Sequence, residues 1–381
     1  MFEAPPSNTS TDVSSPLRSL LQSYADEREN LGLERRLLDR SGMIDFCSND
    51  YLGLGKRVFE RPKTMARGTC AARLIFGETP LVSEVERDIA RFHGVDRCLI
   101  FSSGYLANLS TLSALLTRSC TVIHDELIHA SLRDGITLSR ARCHSFFHNN
   151  LEDLKKKLTH ARGPSLIVVE SLYSMDGDRA PLRAIQEIAF QYGAELFVDE
   201  AHSVGIDGRA GRGLADAEAV SHRCIARTVT FGKALGYHGA AVLGDNKVIQ
   251  TIVNRGRGFI YTTALPDSSL LEIRESYRRI SEADEERTSL FQNIALLKTL
   301  CGDRLIGEAT SPIQYLEING NAAVTAAANK LAEHGFAMVA IRAPTVPAGK
   351  ERLRICMHSF NSATEIENLA IVIKRITSRP S

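Results

Sequence analysis

The chain has 381 residues, enough for two domains, and its hydrophobic content of 44% can fill at least one large core. Lys and Arg number 46 against 45 Asp and Glu, and a net charge of +1 excludes the broad positive field that sequence-blind nucleic-acid binding needs. The longest apolar runs, such as 166–169, are strand-sized and far below the ~18–20 residues that cross a bilayer, so neither nucleic acid nor membrane is expected as a partner.

Residues 1–15 are polar and rich in Ser, Thr and Pro, with no export-signal pattern, and are expected to be a loose tail. The eight cysteines (47, 70, 98, 120, 143, 224, 301 and 356) form no C-x-x-C pair and read as free thiols in a reducing, cytoplasmic compartment. Over 17–38 the leucine spacing predicts an amphipathic helix and a turn, an arm outside the core. A short strand over 44–47 then runs into the polar turn Ser48-Asn49-Asp50-Tyr51.

From there the pattern becomes strand, glycine turn, helix, the unit of a parallel sheet. Strands are expected at 97–101, 121–124, 165–170, 195–198, 227–230 and 240–243, with helices at 105–116, 130–139 and 181–192. Strand runs without polar alternation fit a sheet covered by helices on both faces. Beyond about 270 a long charged helix over 270–300 precedes an α+β pattern between 313 and 376. The expected division is a tail and helical arm (1–45), a large mostly parallel-sheet α/β domain (46–270) and a smaller α+β domain (271–381).

Ligands of open α/β sheets collect at the carboxyl ends of the strands, and here the residues just beyond those ends are reactive in type. Gly104 and Tyr105 open a helix whose free N–H groups favour a phosphate. His129, Ser174, Asp199, His202, Thr230 and Lys233 follow the other strands. Taken singly, each has a plain reading: Gly104 as a turn, His129 as a packing residue, Lys233 as surface charge. Asp199 and His202 lack a third nearby ligand, so no metal is expected. Taken together, an anion cradle, a carboxylate, a flat imidazole and an amine are what pyridoxal 5'-phosphate (PLP) requires. No G-x-G-x-x-G follows an early strand, which argues against a nucleotide-binding oxidoreductase.

The runs Ser48-Asn49-Asp50-Tyr51-Leu52-Gly53-Leu54, Ser103-Gly104-Tyr105-Leu106-Ala107-Asn108, His129-Ala130-Ser131, Ser174-Met175-Asp176-Gly177-Asp178, Val198-Asp199-Glu200-Ala201-His202 and Thr230-Phe231-Gly232-Lys233-Ala234 resemble, in order, those of the α-oxoamine synthase family. The resemblance covers roughly 17–378. It implies a fold-type I PLP-dependent transferase, with PLP in the large domain, that condenses an amino acid with an acyl thioester and loses CO₂. A later run, Ala340-Ile341-Arg342-Ala343-Pro344-Thr345, followed by Arg352-Leu353-Arg354, narrows the match to members that join L-alanine to a pimeloyl thioester, carried on coenzyme A or a carrier protein. Members that use glycine or another acyl chain are the alternative.

By this resemblance Lys233 carries the cofactor as a Schiff base and serves as base and acid at the α-carbon, Asp199 pairs with the pyridine nitrogen and His202 with the ring oxygen. His129 stacks on the ring and Ser174 lies beside it. Gly104, Tyr105 and Thr230 bind the phosphate, completed by Thr262 or Thr263 from the second chain of a homodimer. Arg354 takes the amino-acid carboxylate with Asn49 beside it, Thr345 meets the acyl donor, and Arg35 is the choice for its distal carboxylate, with Arg36 as close. Two departures bear on the acyl pocket: the stretch from Gly55 to Arg73 is shorter than in most relatives, and Val82 stands where the family commonly has histidine.

Overall fold

The computed structural model describes residues 15–35, 37–57 and 66–377; the rest of the expected tail, Arg36 and part of the shortened stretch lie outside them. Among the described residues twelve strands are formed: β1 Ile44–Asp45, β2 Arg97–Phe101, β3 Thr121–Asp125, β4 Arg142–Phe146, β5 Ser165–Glu170, β6 Glu195–Asp199, β7 Ala226–Thr230, β8 Ala240–Gly244, β9 Ile313–Glu317, β10 Phe336–Ala337, β11 Val339–Ile341 and β12 Arg352–Cys356. Seven of them make one sheet in the order β2-β8-β7-β6-β5-β3-β4. Strands β3 to β7 run parallel, and β8 alone is antiparallel to its neighbours β2 and β7.

The alternation of side chains along β5 explains the layering. Leu166 and Val168 enter one core with helices Gly104–Leu115, Ala130–Ser139 and Asn246–Arg255. Ile167 and Val169 enter a second core, on the opposite face, with helices Leu151–Leu158 and Leu182–Tyr192. A strand buried on both faces has no reason to alternate polar and apolar residues, which is why its sequence reads as an unbroken apolar run. The fold is therefore α/β, a mostly parallel sheet between helical layers.

A third core joins β2, β7 and β8 to the C-terminal elements. Ile100, Val229 and Leu243 share it with Ile273, Ile294, Leu316 and Ile355. Strand β12 is central in a three-stranded antiparallel sheet, β11-β12-β9, and β1 pairs in parallel with β10. These contacts bring the chain around residue 49 and the strand carrying Arg354 against the carboxyl end of the large sheet.

The arm follows the sequence reading, while other elements depart from it. In the arm the helix and turn expected over 17–38 are helix Pro16–Asn30 and a turn at Leu31 and Gly32, where Gly32 takes φ +63°, a left-handed conformation that glycine adopts freely. None of its side chains is buried. The single helix over 270–300 is two, Asp267–Ser281 and Asp284–Cys301, broken at Glu282 and Ala283. Helix Pro80–His93 was not expected, although it carries start and stop signals: Thr79 Oγ1 accepts from Val82 N, Pro80 opens it, and Gly94 closes it at φ +64°. Val82 is buried on this helix in the third core. Strand β4 was missed because it is an edge strand, exposed at all but its last residue, and its Arg-Cys-His-Ser-Phe sequence lacks an apolar run.

One buried network ties the end of β3 to the loop after β5. Asp125, fully buried, accepts from the backbone N–H groups of Leu127 and Asn149 and faces His148 Nδ1 at 3.0 Å. The other ring nitrogen, Nε2, lies 2.7 Å from Asp178 Oδ2. Burial by itself pushes His148 down, but hydrogen bonds and charge from both carboxylates outweigh it and raise the imidazole to about 10. His148 is thus an imidazolium that donates in both directions. A group raised in the folded state stabilises fully below its unfolded pKa near 6.5 and loses that contribution as pH rises through 10. Urea unfolding midpoints of the wild type should therefore fall between pH 6.5 and 10, with this component flattened in His148→Gln; equal slopes in the two proteins would contradict the network.

Candidate active site

The carboxyl ends of β2, β5, β6 and β7 open onto a cavity of about 260 Å³. Gly104, Tyr105, His129, Asp199, His202, Thr230, Lys233 and Asn49 all line it. The structure thus brings together eight of the residues singled out in the sequence. Glu170, Asn108 and Ser131 also line it and were not singled out.

Gly104 opens helix Gly104–Leu115, capped by Ser103, whose Oγ accepts from Leu106 N at 3.2 Å. First-turn N–H groups have no partner inside a helix, and here they stand at the cavity wall. A Cβ on Gly104 would lie 2.5 Å from Thr230 Cγ2, so the close approach of the helix to β7 requires glycine. Tyr105 is exposed, its hydroxyl donating to Asp134, and its ring meets His129 edge-on at 6.4 Å.

Asp199 ends β6. Its Oδ1 accepts from Ala201 N at 2.9 Å and its Oδ2 from Asn108 Nδ2 at 2.7 Å. Asn108 Nδ2 also reaches Ser131 Oγ at 2.9 Å, and that hydroxyl lies 2.8 Å from His129 Nδ1. Asn108 therefore couples the carboxylate to the imidazole that caps helix Ala130–Ser139. Burial lowers His129, and burial followed by the positive charges of Lys233 and Arg354 lowers His202 well below the usual range, so both rings are neutral. His202 Nδ1 lies 2.8 Å from the hydroxyl of buried Tyr51.

Lys233 sits in the loop after β7. Burial pushes its amine down to about 8 against the opposing pull of Asp199 and Glu170. Glu170, next to Asp199 across the β5–β6 register, is pushed up to about 8, first by burial and then by the charge of Asp199. The cavity therefore carries an amine that loses its proton far more readily than an exposed lysine, beside a carboxyl that accepts two hydrogen bonds.

Arg354 is buried on β12 and reaches the site from outside the large sheet. Its Nε donates to Ser174 O at 2.6 Å, and a terminal nitrogen donates to Asn49 Oδ1 at 3.1 Å. Ser174 is thus a neighbour of Arg354 through its carbonyl and does not line the cavity. Thr262 and Thr263 line a separate small pocket with Arg73, Gly77 and Val82. Thr345 and Arg35 are exposed. They belong to one neighbourhood, since Arg342 donates to Gly32 O at 2.6 Å and to Glu34 O at 3.0 Å while Thr345 N donates to Arg342 O.

A family model, aminotransferase class I and II, matches residues 41–373. The chain belongs to that family. Within it, the chain is 38% identical over 345 residues to the 8-amino-7-oxononanoate synthase of Methylococcus capsulatus, covering 88% of this chain and 89% of the relative. Among solved structures, a serine palmitoyltransferase variant of S. paucimobilis with a PLP–myriocin aldimine matches with TM-score 0.85 and 27% identity over 95% of this chain and 98% of that one. The 8-amino-7-oxononanoate synthase of Francisella tularensis matches with TM-score 0.75 and 29% identity, covering 88% and 98%. The chain is an α-oxoamine synthase, a PLP-dependent acyltransferase of fold type I.

The residues present fit that cofactor. Three buried polar atoms on this one cavity wall, Glu170 Oε1, Asn108 Oδ1 and Thr230 Oγ1, have no partner within the described residues, as a site built for a polar ligand requires. Among the described residues no cluster of His, Cys, Asp and Glu could hold a metal, and no helix is long and apolar enough to cross a membrane.

Because only the uncharged amine attacks an aldehyde, the rate at which the PLP-free chain takes up PLP should rise with pH and reach half its plateau near pH 8, the value to which Lys233 is lowered. Stopped-flow absorbance measures it. A rate still climbing at pH 10, as for an exposed lysine, would contradict this environment.

Proposed function

We propose that this α-oxoamine synthase condenses L-alanine with a pimeloyl thioester, releasing CO₂ and the free thiol and giving 8-amino-7-oxononanoate for biotin synthesis. What carries the reading is the buried Lys233 amine, lowered to about 8, beside Asp199 in a cavity that Asn49 also lines, with Arg354 donating to Asn49. The choice of alanine and a pimeloyl chain is supported by relatives named 8-amino-7-oxononanoate synthase at 35–38% identity.

In this reading Lys233 Nζ would hold PLP, Gly104 and Tyr105 would offer N–H groups to its phosphate, Asp199 would pair with the ring nitrogen, His202 with the ring oxygen, and His129 would stack on the ring. Bound PLP supplies an electron sink that makes the α-carbon of an amino acid acidic. Arg354 binds the substrate carboxylate, a task suited to a planar guanidinium already anchored by Ser174 O and Asn49. Lys233 Nζ would take the α-proton and return one to the same carbon. The neutral imidazoles of His129 and His202 leave Asp199 as its principal counter-charge.

Thr262 or Thr263, away from the cavity of their own chain, would complete the phosphate site of a second copy, which makes the proposed active form a homodimer, with the cytoplasm as its proposed location. Thr345 and Arg35, brought into one neighbourhood through Arg342, are the residues proposed to meet the acyl donor.

A second reading, a synthase using serine or glycine with another acyl chain, is favoured by one observation: the serine palmitoyltransferase fold matches at TM-score 0.85 against 0.75 for the Francisella synthase. Product mass separates the two. Incubated with alanine, glycine or serine and a panel of acyl thioesters, the holoenzyme should form mainly the alanine–pimeloyl product, at least about tenfold faster than any other, a margin of ~1.4 kcal/mol. A dominant serine or glycine product establishes the second reading.

A further inference from the structure

Glu170 is the one cavity carboxyl to which the reaction outlined above gives no task. It ends β5 directly beside Asp199 on β6, is 3% exposed, and its Oε1 lies on the cavity wall with no partner. Two adjacent buried carboxyls cannot both ionise cheaply, so the question is which one keeps a proton. The hydrogen bonds decide. Asp199 accepts from Ala201 N and Asn108 Nδ2, both of which favour its ionised form. Glu170 has only the backbone N–H of His129.

We propose that Glu170 is a further residue of the PLP site, a carboxylic acid that keeps its proton and donates it as a hydrogen bond to the acceptor held in the cavity, while Asp199 alone carries the negative charge. The proposal rests on the assignment of PLP to this cavity. The groups facing Glu170 agree with it. Asp199 on β6 and Asp125 on β3 oppose its ionisation; Lys233 from the loop after β7 favours it without prevailing, since the net result lies near 8. Tyr173, on the loop following Glu170, has its hydroxyl raised first by burial and then by the charge of Asp125, so it stays neutral as well.

The consequence is a cavity with one negative charge rather than two. An anionic phosphate and a substrate carboxylate enter it more readily, and the ring receives one neutral donor that burial makes strong. A glutamine at 170 keeps the shape and a donor but cannot ionise; a leucine keeps bulk and removes the donor.

The test uses PLP-loaded holoenzyme and infrared difference spectra, wild type minus Glu170→Gln. At pH 6.5 the difference should contain a protonated-carboxyl C=O stretch, which converts to carboxylate only above the usual carboxylate range, in the direction that burial and Asp199 push Glu170. In Asp199→Asn the same conversion should move to lower pH, an outcome independent of whether Glu170→Gln is well folded. PLP dissociation constants give a second readout: within about threefold of wild type for Glu170→Gln and weakened by about tenfold for Glu170→Leu, the loss expected for a buried donor. Carboxylate alone at pH 6.5, an unmoved midpoint in Asp199→Asn, or equal affinities for the Gln and Leu variants overturns the proposal. A wild-type chain that binds no PLP defeats the cofactor assignment instead, which keeps the two failures distinct.

Discussion

Removing the Lys233 ammonium from water costs more than Asp199 and Glu170 return, and the amine is left near 8 instead of its ordinary 10.5. Much of the surrounding structure serves that imbalance. The carboxyl ends of parallel strands gather Glu170, Asp199 and Thr230 along one edge, and the loop after β7 lays Lys233 across them. Neighbouring imidazoles, themselves buried, stay neutral and add no competing charge. An amine that is half uncharged near pH 8 can attack a carbonyl and can also hold a proton, the two tasks the proposed chemistry sets it.

The C-terminal strands contribute the second half of the site by reaching over to it. Arg354 on β12 is joined to the 174–178 loop by Ser174 O, and Arg352, two residues away, donates to Met175 O and Asp176 Oδ1. The far end of that loop, Asp178, is held by the His148 imidazolium. The guanidinium assigned to the substrate is therefore fixed through a chain of charged contacts that ends in the large sheet at Asp125. In the turn after β1, Tyr51 meets His202 and Asn49 accepts from Arg354.

The parallel sheet was legible in the sequence because burial on both faces writes itself as apolar runs such as 165–170, punctuated by glycine turns. The cluster of cavity residues was legible for a related reason: a parallel sheet places the residue after each strand at one edge, so Gly104, His129, Asp199 and Lys233 were neighbours before any coordinates. Glu170 escaped because it is the last residue of its strand and reads as a routine strand terminus; only the register with Asp199 shows that it enters the cavity. Asn108 escaped because its position one turn into a helix gives no hint that it bridges Asp199 to Ser131. His148 depends on carboxylates 23 and 30 residues away, a distance no local pattern spans. The assignments at Thr345 and Arg35 came from resemblance alone, and in the single chain they lie at the surface, outside the cavity wall.

The central claim is that the cavity amine at position 233 is the group that bonds PLP. Borohydride reduction of the PLP-loaded enzyme, followed by proteolysis and peptide mass mapping, tests it most directly. The account predicts a single stoichiometric pyridoxyl-phosphate adduct on the peptide containing Lys233. An adduct on another lysine, or none on a chain that still turns over, would contradict it.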